Sequence, residues 1–135
     1  IKFYEMEYAI PREACEEALN RVRRMVKDSG FFLNFPVEVR FTAPDEIPLS
    51  TASNRESAYI AVHIYKGMNY VPYFREVESI MNSYQGRPHW GKLHFQDAKS
   101  LAPRYPQWDV FQNVRNLVDP NRTFANRYTE TVLGK

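Results

Sequence analysis

Phe3-Tyr4-Glu5-Met6-Glu7-Tyr8-Ala9-Ile10-Pro11 is the stretch whose reading decides the fold. Its side chains alternate, Tyr4, Met6, Tyr8 and Ile10 against Phe3, Glu5, Glu7 and Ala9. That is the period of a strand with one apolar face. Pro11 suits the first position of a helix, and from Glu13 to Ser29 the period changes. Ala14, Cys15, Ala18, Leu19, Val22, Met25 and Val26 follow helical spacing, acids come early and bases late, and Gly30 stands as a stop. Outward from this β-α unit, Val37 to Ala43 reads as a second strand, with Val37, Val39 and Phe41 opposed to Glu38, Arg40 and Thr42. The Pro- and Ser-rich stretch to Arg55 reads as a loop. Ser57 to Lys66 is a third strand, with Ile60, Val62 and Ile64 on one side and Tyr59, Ala61, His63 and Tyr65 on the other. Pro72 opens a second helix carrying Phe74, Val77, Ile80, Met81 and Tyr84, and a turn at Gly86 leads to a fourth strand.

The order β-α-β-β-α-β predicts an α+β, ferredoxin-like antiparallel sheet with both helices on one face. The aliphatic strand faces are expected to meet the helices. The opposite face then carries Glu5, Glu38, Arg40, His63 and Tyr65, too polar for the core of a free-standing domain. From Ala98 a helical tail follows, with a short helix around Asp109 to Leu117 and a turn at Asp119-Pro120-Asn121-Arg122.

Composition bounds the function. With 135 residues one domain is expected. Eighteen basic against 16 acidic residues, net +2, give no field that argues for nucleic acid or an anionic membrane. One cysteine excludes an internal disulfide, and its place on an apolar helix stripe points to a buried, inert thiol in a reducing, cytoplasmic setting. No apolar run reaches the roughly 20 residues of a membrane span. His63, His89 and His94 form no ligand set, so no metal is expected.

The chemistry concentrates in Gly86-Arg87-Pro88-His89-Trp90-Gly91-Lys92-Leu93. If this is a strand, Trp90 and Lys92 share one face and His89 takes the other. An accurately placed Lys92 ammonium is what transition-state stabilisation requires; the alternative is a buried Trp beside a snorkelling Lys. Glu38 and Arg40, two apart, are neighbours that either bind a hydroxyl-rich substrate or form an ion pair decorating a sheet.

His89-Trp90-Gly91-Lys92, Tyr105-Pro106, Leu117-Val118-Asp119-Pro120-Asn121-Arg122, Phe124-Ala125-Asn126-Arg127-Tyr128 and Val132-Leu133-Gly134 resemble the C-terminal region of the sugar-1,4-lactone oxidases and dehydrogenases. These include the L-gulono- and D-arabinono-lactone enzymes and the alditol oxidases, FAD enzymes of the vanillyl-alcohol-oxidase superfamily. Glu5-Met6-Glu7-Tyr8, Pro11-Arg12-Glu13, Val37-Glu38-Val39-Arg40 and Leu49-Ser50 resemble them in the same order.

The resemblance implies a chain that is about the last third of such an enzyme. Residues 1–97 would belong to its substrate domain and 98–135 would return toward an FAD-binding domain that is a separate part of the protein. It implies that Glu38, Arg40 and Lys92 meet the reacting hydroxyl or its neighbours, that Glu5, His63 and Tyr65 line the same pocket, and that His89, Lys92 and Asn126 approach the flavin. The substrate implied is a sugar lactone or a polyol; in the alditol branch a glutamine replaces Glu5 and a threonine stands near Tyr65, differences that bear on those two contacts and point toward a lactone. The implied reaction moves hydride from an alcohol carbon to flavin N5, with the base unassigned among these residues.

Two other readings compete. One is an inactive fragment or interaction domain whose polar face is the scar of a lost interface. The other is an RRM-like RNA-binding module, since the element order is shared and Ala58-Tyr59-Ile60-Ala61-Val62-His63-Ile64-Tyr65 is similar to an RRM strand motif. That module needs bases and aromatics where Glu5, Glu7 and Glu38 stand.

Overall fold

A computed structural model describes residues 2–135. β1 (Phe3–Pro11) runs through a 3-10 turn (Arg12–Ala14) into α1 (Cys15–Ser29), followed by β2 (Glu38–Thr42), β3 (Ser57–Tyr65), α2 (Val71–Asn82) and β4 (Arg87–Pro88). The tail holds α3 (Ala98–Leu101), α4 (Trp108–Val118) and α5 (Arg127–Leu133). The strands form one sheet in the order β2-β3-β1-β4, every pair antiparallel. This is the ferredoxin-like α+β arrangement that the alternation predicts.

β1 and β3 are the centre, paired in unbroken register from Phe3↔Tyr65 to Pro11↔Ser57. Their aliphatic side, Met6, Tyr8, Ile10, Ile60, Val62 and Ile64, packs on Ala18 and Val22 of α1 and on Tyr73, Phe74, Val77 and Met81 of α2. Gly30 closes α1 in the left-handed region at φ 69°, the conformation a glycine supplies without a Cβ penalty. Cys15 is buried in this core, and burial pushes its thiol up, away from the reactive thiolate.

Two expectations are corrected. Val37, Val39 and Phe41 do not meet the helices, for β2 is exposed along its whole length. Period-two alternation says which way a side chain points, not whether anything covers it; β2 is the outer strand and the buried cluster draws on β1 and β3. The His89-Trp90-Gly91-Lys92 segment is not a strand. After Pro88 the edge stays beside β1 through His89 N–H to Glu7 O at 2.9 Å and resumes with Leu93 N–H to Glu5 O at 3.0 Å. Between them a turn closes through Lys92 N–H to His89 O at 3.1 Å. Two more residues are used than the register needs, so the chain loops out there, as at a bulge.

The opposite sheet face is covered at one end only. There the tail gathers Leu101, Tyr105, Trp108 and Val132 into a second core, with Leu49 and Trp90 against it. Arg87, opposite Ala9 in the register, ties this core to the sheet by donating to the carbonyls of Arg104, Ser53 and Thr51. The other end of the face is left open. No described helix is long and apolar enough to cross a membrane.

Candidate functional site

The open end of that face carries one continuous series of alternating acidic and basic side chains. Register places Glu5 opposite His63, and Ala61 between Glu7 on one side and Glu38 on the other. Because Ala61 is small, the Arg40 side chain can cross β3 above it. Its guanidinium reaches Glu7 of β1 at 3.1 Å while also holding Glu38 on its own strand. From the looped-out turn Lys92 Nζ comes down on the same carboxylate, Glu7, and on Glu5 at 2.6 Å. Glu5 in turn faces His63 Nε2 at 3.2 Å. The series Glu38–Arg40–Glu7–Lys92–Glu5–His63 thus spans three strands and the turn after β4.

Burial is uneven along it. The Glu7 side chain is 5% exposed and that of Glu38 45%. Lys92 is mostly enclosed; burial works to lower its pKa, but the hydrogen bonds and charges of Glu5 and Glu7 outweigh this and hold the ammonium above the ordinary lysine range. For Glu5, burial works upward, and Lys92 and then His63 overcome it to hold the carboxyl below the usual range. Both carboxylates thus favour the charged form of Lys92. Of its three N–H donors two are spent on carboxylates, leaving one for a ligand.

The structure brings together five of the candidate residues in this chain: Glu5, Glu38, Arg40, His63 and Lys92. Tyr65 adjoins it through its ring, edge-on to Phe35 at 4.6 Å between centroids, and Phe35 and Phe3 flank the His63 imidazole. His89 and Asn126 lie outside the chain. His89 is exposed on the turn, its Nδ1 accepting from Gly91 N–H at 3.1 Å. Asn126 caps α5, its Oδ1 accepting from Thr129 N–H at 3.0 Å. Trp90 points into the second core, its ring stacked on Tyr105 and its indole N–H donating to Leu49 O at 2.9 Å. The buried-indole reading holds for Trp90, while Lys92 is held by specific charges.

Reasoning from sequence alone leaves out Glu7, the carboxylate shared by both cations. Its signal was its period-two position after Glu5. It also leaves out His94, and it places Tyr128 only in the segment returning toward the flavin, whereas both, with Phe3, Glu5, Trp90 and Lys92, surround an open depression of about 700 Å³.

The family model described as D-arabinono-1,4-lactone oxidase matches residues 1–132. Over 134 residues the chain is 57% identical to an L-gulono-1,4-lactone dehydrogenase of Mycobacterium tuberculosis, covering 99% of this chain and 31% of that protein. It is 36% identical over 136 residues to the L-gulonolactone oxidase of Mus musculus, covering 97% of this chain and 31% of that protein. It is also 31% identical over 130 residues to an alditol oxidase of a Streptomyces species, covering 96% and 31%. The chain spans about a third of the length of these relatives.

Proposed function

The chain belongs to the D-arabinono-1,4-lactone oxidase family, and from that premise we propose that it forms the substrate-facing part of an FAD-dependent oxidoreductase acting on an alcohol carbon of a sugar lactone. In this reading residues 1–97 contribute the substrate face and 98–135 lead back toward a flavin-binding domain elsewhere in the protein.

The observation that carries it is the linked series of acidic and basic side chains that brings Lys92 and Glu5 to the wall of the open depression. A sheet decorated by an ion pair has no need to thread two cations through one buried carboxylate. Carboxylates that accept from hydroxyls, and donor-only cations that favour an oxygen shedding its proton, match a polyhydroxylated substrate. Lys92, held protonated, stabilises negative charge developing on a substrate oxygen, and Arg40, half exposed with guanidinium donors to spare, acts likewise. Glu38, at the solvent end, is placed to orient a hydroxyl or take its proton. Glu5 and His63, hydrogen-bonded to each other, line the far end.

Lys92 and the exposed His89 on the turn, with Asn126 at the start of α5, are the groups this chain would offer to a flavin held by the rest of the protein. His89, Lys92 and Asn126 would be this chain's contacts to FAD, too few to enclose a dinucleotide alone. When bound, that cofactor supplies the hydride acceptor.

The test is the visible spectrum of the full-length protein before and after L-gulono-1,4-lactone is added without oxygen. Flavin bands that bleach are expected, together with no equimolar flavin on the 135-residue chain alone after gel filtration. Full-length protein that is colourless, or unchanged by lactones and alditols, contradicts the reading. It would favour an interaction domain.

A further inference from the structure

The depression beside Lys92 has a second wall, which the charges do not account for. Tyr128 on α5 donates its phenolic proton to Trp90 O at 2.5 Å, and the same oxygen lies 2.9 Å from His94 Nε2. On the far side of that imidazole, Nδ1 is 3.2 Å from Gln96 N–H.

A backbone N–H can only donate, so Nδ1 must present its lone pair, and in a neutral imidazole the proton then sits on Nε2. Nε2–H donates to the Tyr128 oxygen, whose own proton is already committed to the Trp90 carbonyl. The hydrogen bonds therefore run one way, from Gln96 through His94 and Tyr128 to Trp90. Burial holds His94 below the usual histidine range against the opposing charge of Glu78, and burial raises the Tyr128 phenol, so both stay neutral near pH 7. A protonated His94 would carry a hydrogen on Nδ1, facing the Gln96 N–H. The charged groups around this segment are Lys92 and Glu5 in the depression, Arg127 beside His94 and Tyr128, Arg75 over the Phe95 ring, and Glu78, which accepts from Phe95 N–H at 2.8 Å.

Tyr128 is half exposed and lines the depression, and its oxygen keeps lone-pair capacity but has no proton to give. Resting on the function proposed above, we propose that Tyr128, fixed by His94, is a substrate-positioning residue that accepts a hydrogen bond from one ligand hydroxyl and cannot donate one. Beside it Lys92 only donates. The pair is complementary to a ligand presenting one acceptor oxygen and one hydroxyl, as a polyhydroxylated lactone does, and it discriminates against an analogue whose hydroxyl is removed.

The full-length flavoprotein is assayed as wild type and Tyr128→Phe on an aldonolactone and on its deoxy analogues, each lacking one hydroxyl. Losing one neutral hydrogen bond raises KM for the parent lactone by roughly 3- to 10-fold, with kcat within about twofold. One deoxy analogue should show that same penalty in the wild type and no added penalty in Tyr128→Phe. Equal losses on every analogue would make Tyr128 structural, and no loss on any would remove it from the site; either overturns the proposal. Independently of turnover, nitrogen-15 NMR of the 135-residue chain should find neutral His94 with its proton on Nε2. A proton on Nδ1 overturns the locked arrangement even in an active enzyme. A wild type inactive on every lactone and polyol overturns the parent function and the substrate role of Tyr128 together, whatever the tautomer.

Discussion

Glu7 and Glu38 hold the same guanidinium, yet they should respond differently to loss of charge, because water reaches one and not the other. Glu7→Gln leaves Arg40 and Lys92 facing a neutral amide in an enclosed place, where removing one partner of a buried pair is costly. It is expected to lower the unfolding free energy by about 2 kcal/mol or more. Glu38→Gln, at an exposed pair, should cost at most about 1 kcal/mol. Urea midpoints of the two variants check this, and equal shifts would contradict the burial assigned to Glu7. The same residues give a pH dependence at both extremes. Glu5 titrates below its unfolded range, so its contribution is present above the unfolded pKa and is lost as acid carries pH down through the folded one. Lys92 titrates above its unfolded range, so its contribution is complete below the unfolded pKa and is lost as pH rises through the folded one. The wild-type stability profile should therefore droop at both ends, and Lys92→Met should flatten the alkaline limb; an unchanged limb would show that Lys92 gains nothing on folding.

At the scale of elements, the turn after β4 is the part that sequence reading misplaced, and the reason is physical. Alternation over His89 to Lys92 looks like a strand because a bulge keeps the flanking hydrogen bonds, through His89 and Leu93, while looping out the residues between. Nothing local marks where two extra residues enter. By contrast β1, α1, β3 and α2 were legible, since each buries a regular stripe and periodicity records it. α5 was missed: its seven residues bury only Val132, and its signal is the reciprocal cap of Asn126 and Thr129. Gly86 sets where the edge begins. A Cβ there would lie 2.7 Å from Met81 O and 2.9 Å from Tyr8 Cδ1, closer than real atoms approach. Gly86→Ala must push β4 off α2, at about 1–3 kcal/mol by the usual cost of overpacking, and should loosen the Lys92 turn that follows. Differential scanning calorimetry checks the first effect; an unshifted transition would mean the contact relaxes freely.

Over the whole molecule, two cores lie on opposite faces of one sheet, the larger under α1 and α2 and the smaller under the tail. The smaller covers half a face, and the charged residues occupy the half it leaves open. Alternation along the strands foretold a polar face carrying Glu5, Glu38, Arg40 and His63, but not that the tail would cover part of it with a second core. How Lys92 joins them was not legible, because the turn that delivers it depends on pairing with β1, distant in sequence. The central claim is that this open half-face binds the lactone being oxidised, and Glu38 tests it best, since its exposure keeps folding out of the result. The decisive measurement is kcat/KM of Glu38→Gln on L-gulono-1,4-lactone in full-length protein with its flavin content and unfolding midpoint recorded alongside. We predict a loss of at least roughly 10²-fold, about 2.7 kcal/mol of transition-state binding, at unchanged flavin content and midpoint; unchanged kcat/KM would contradict the account.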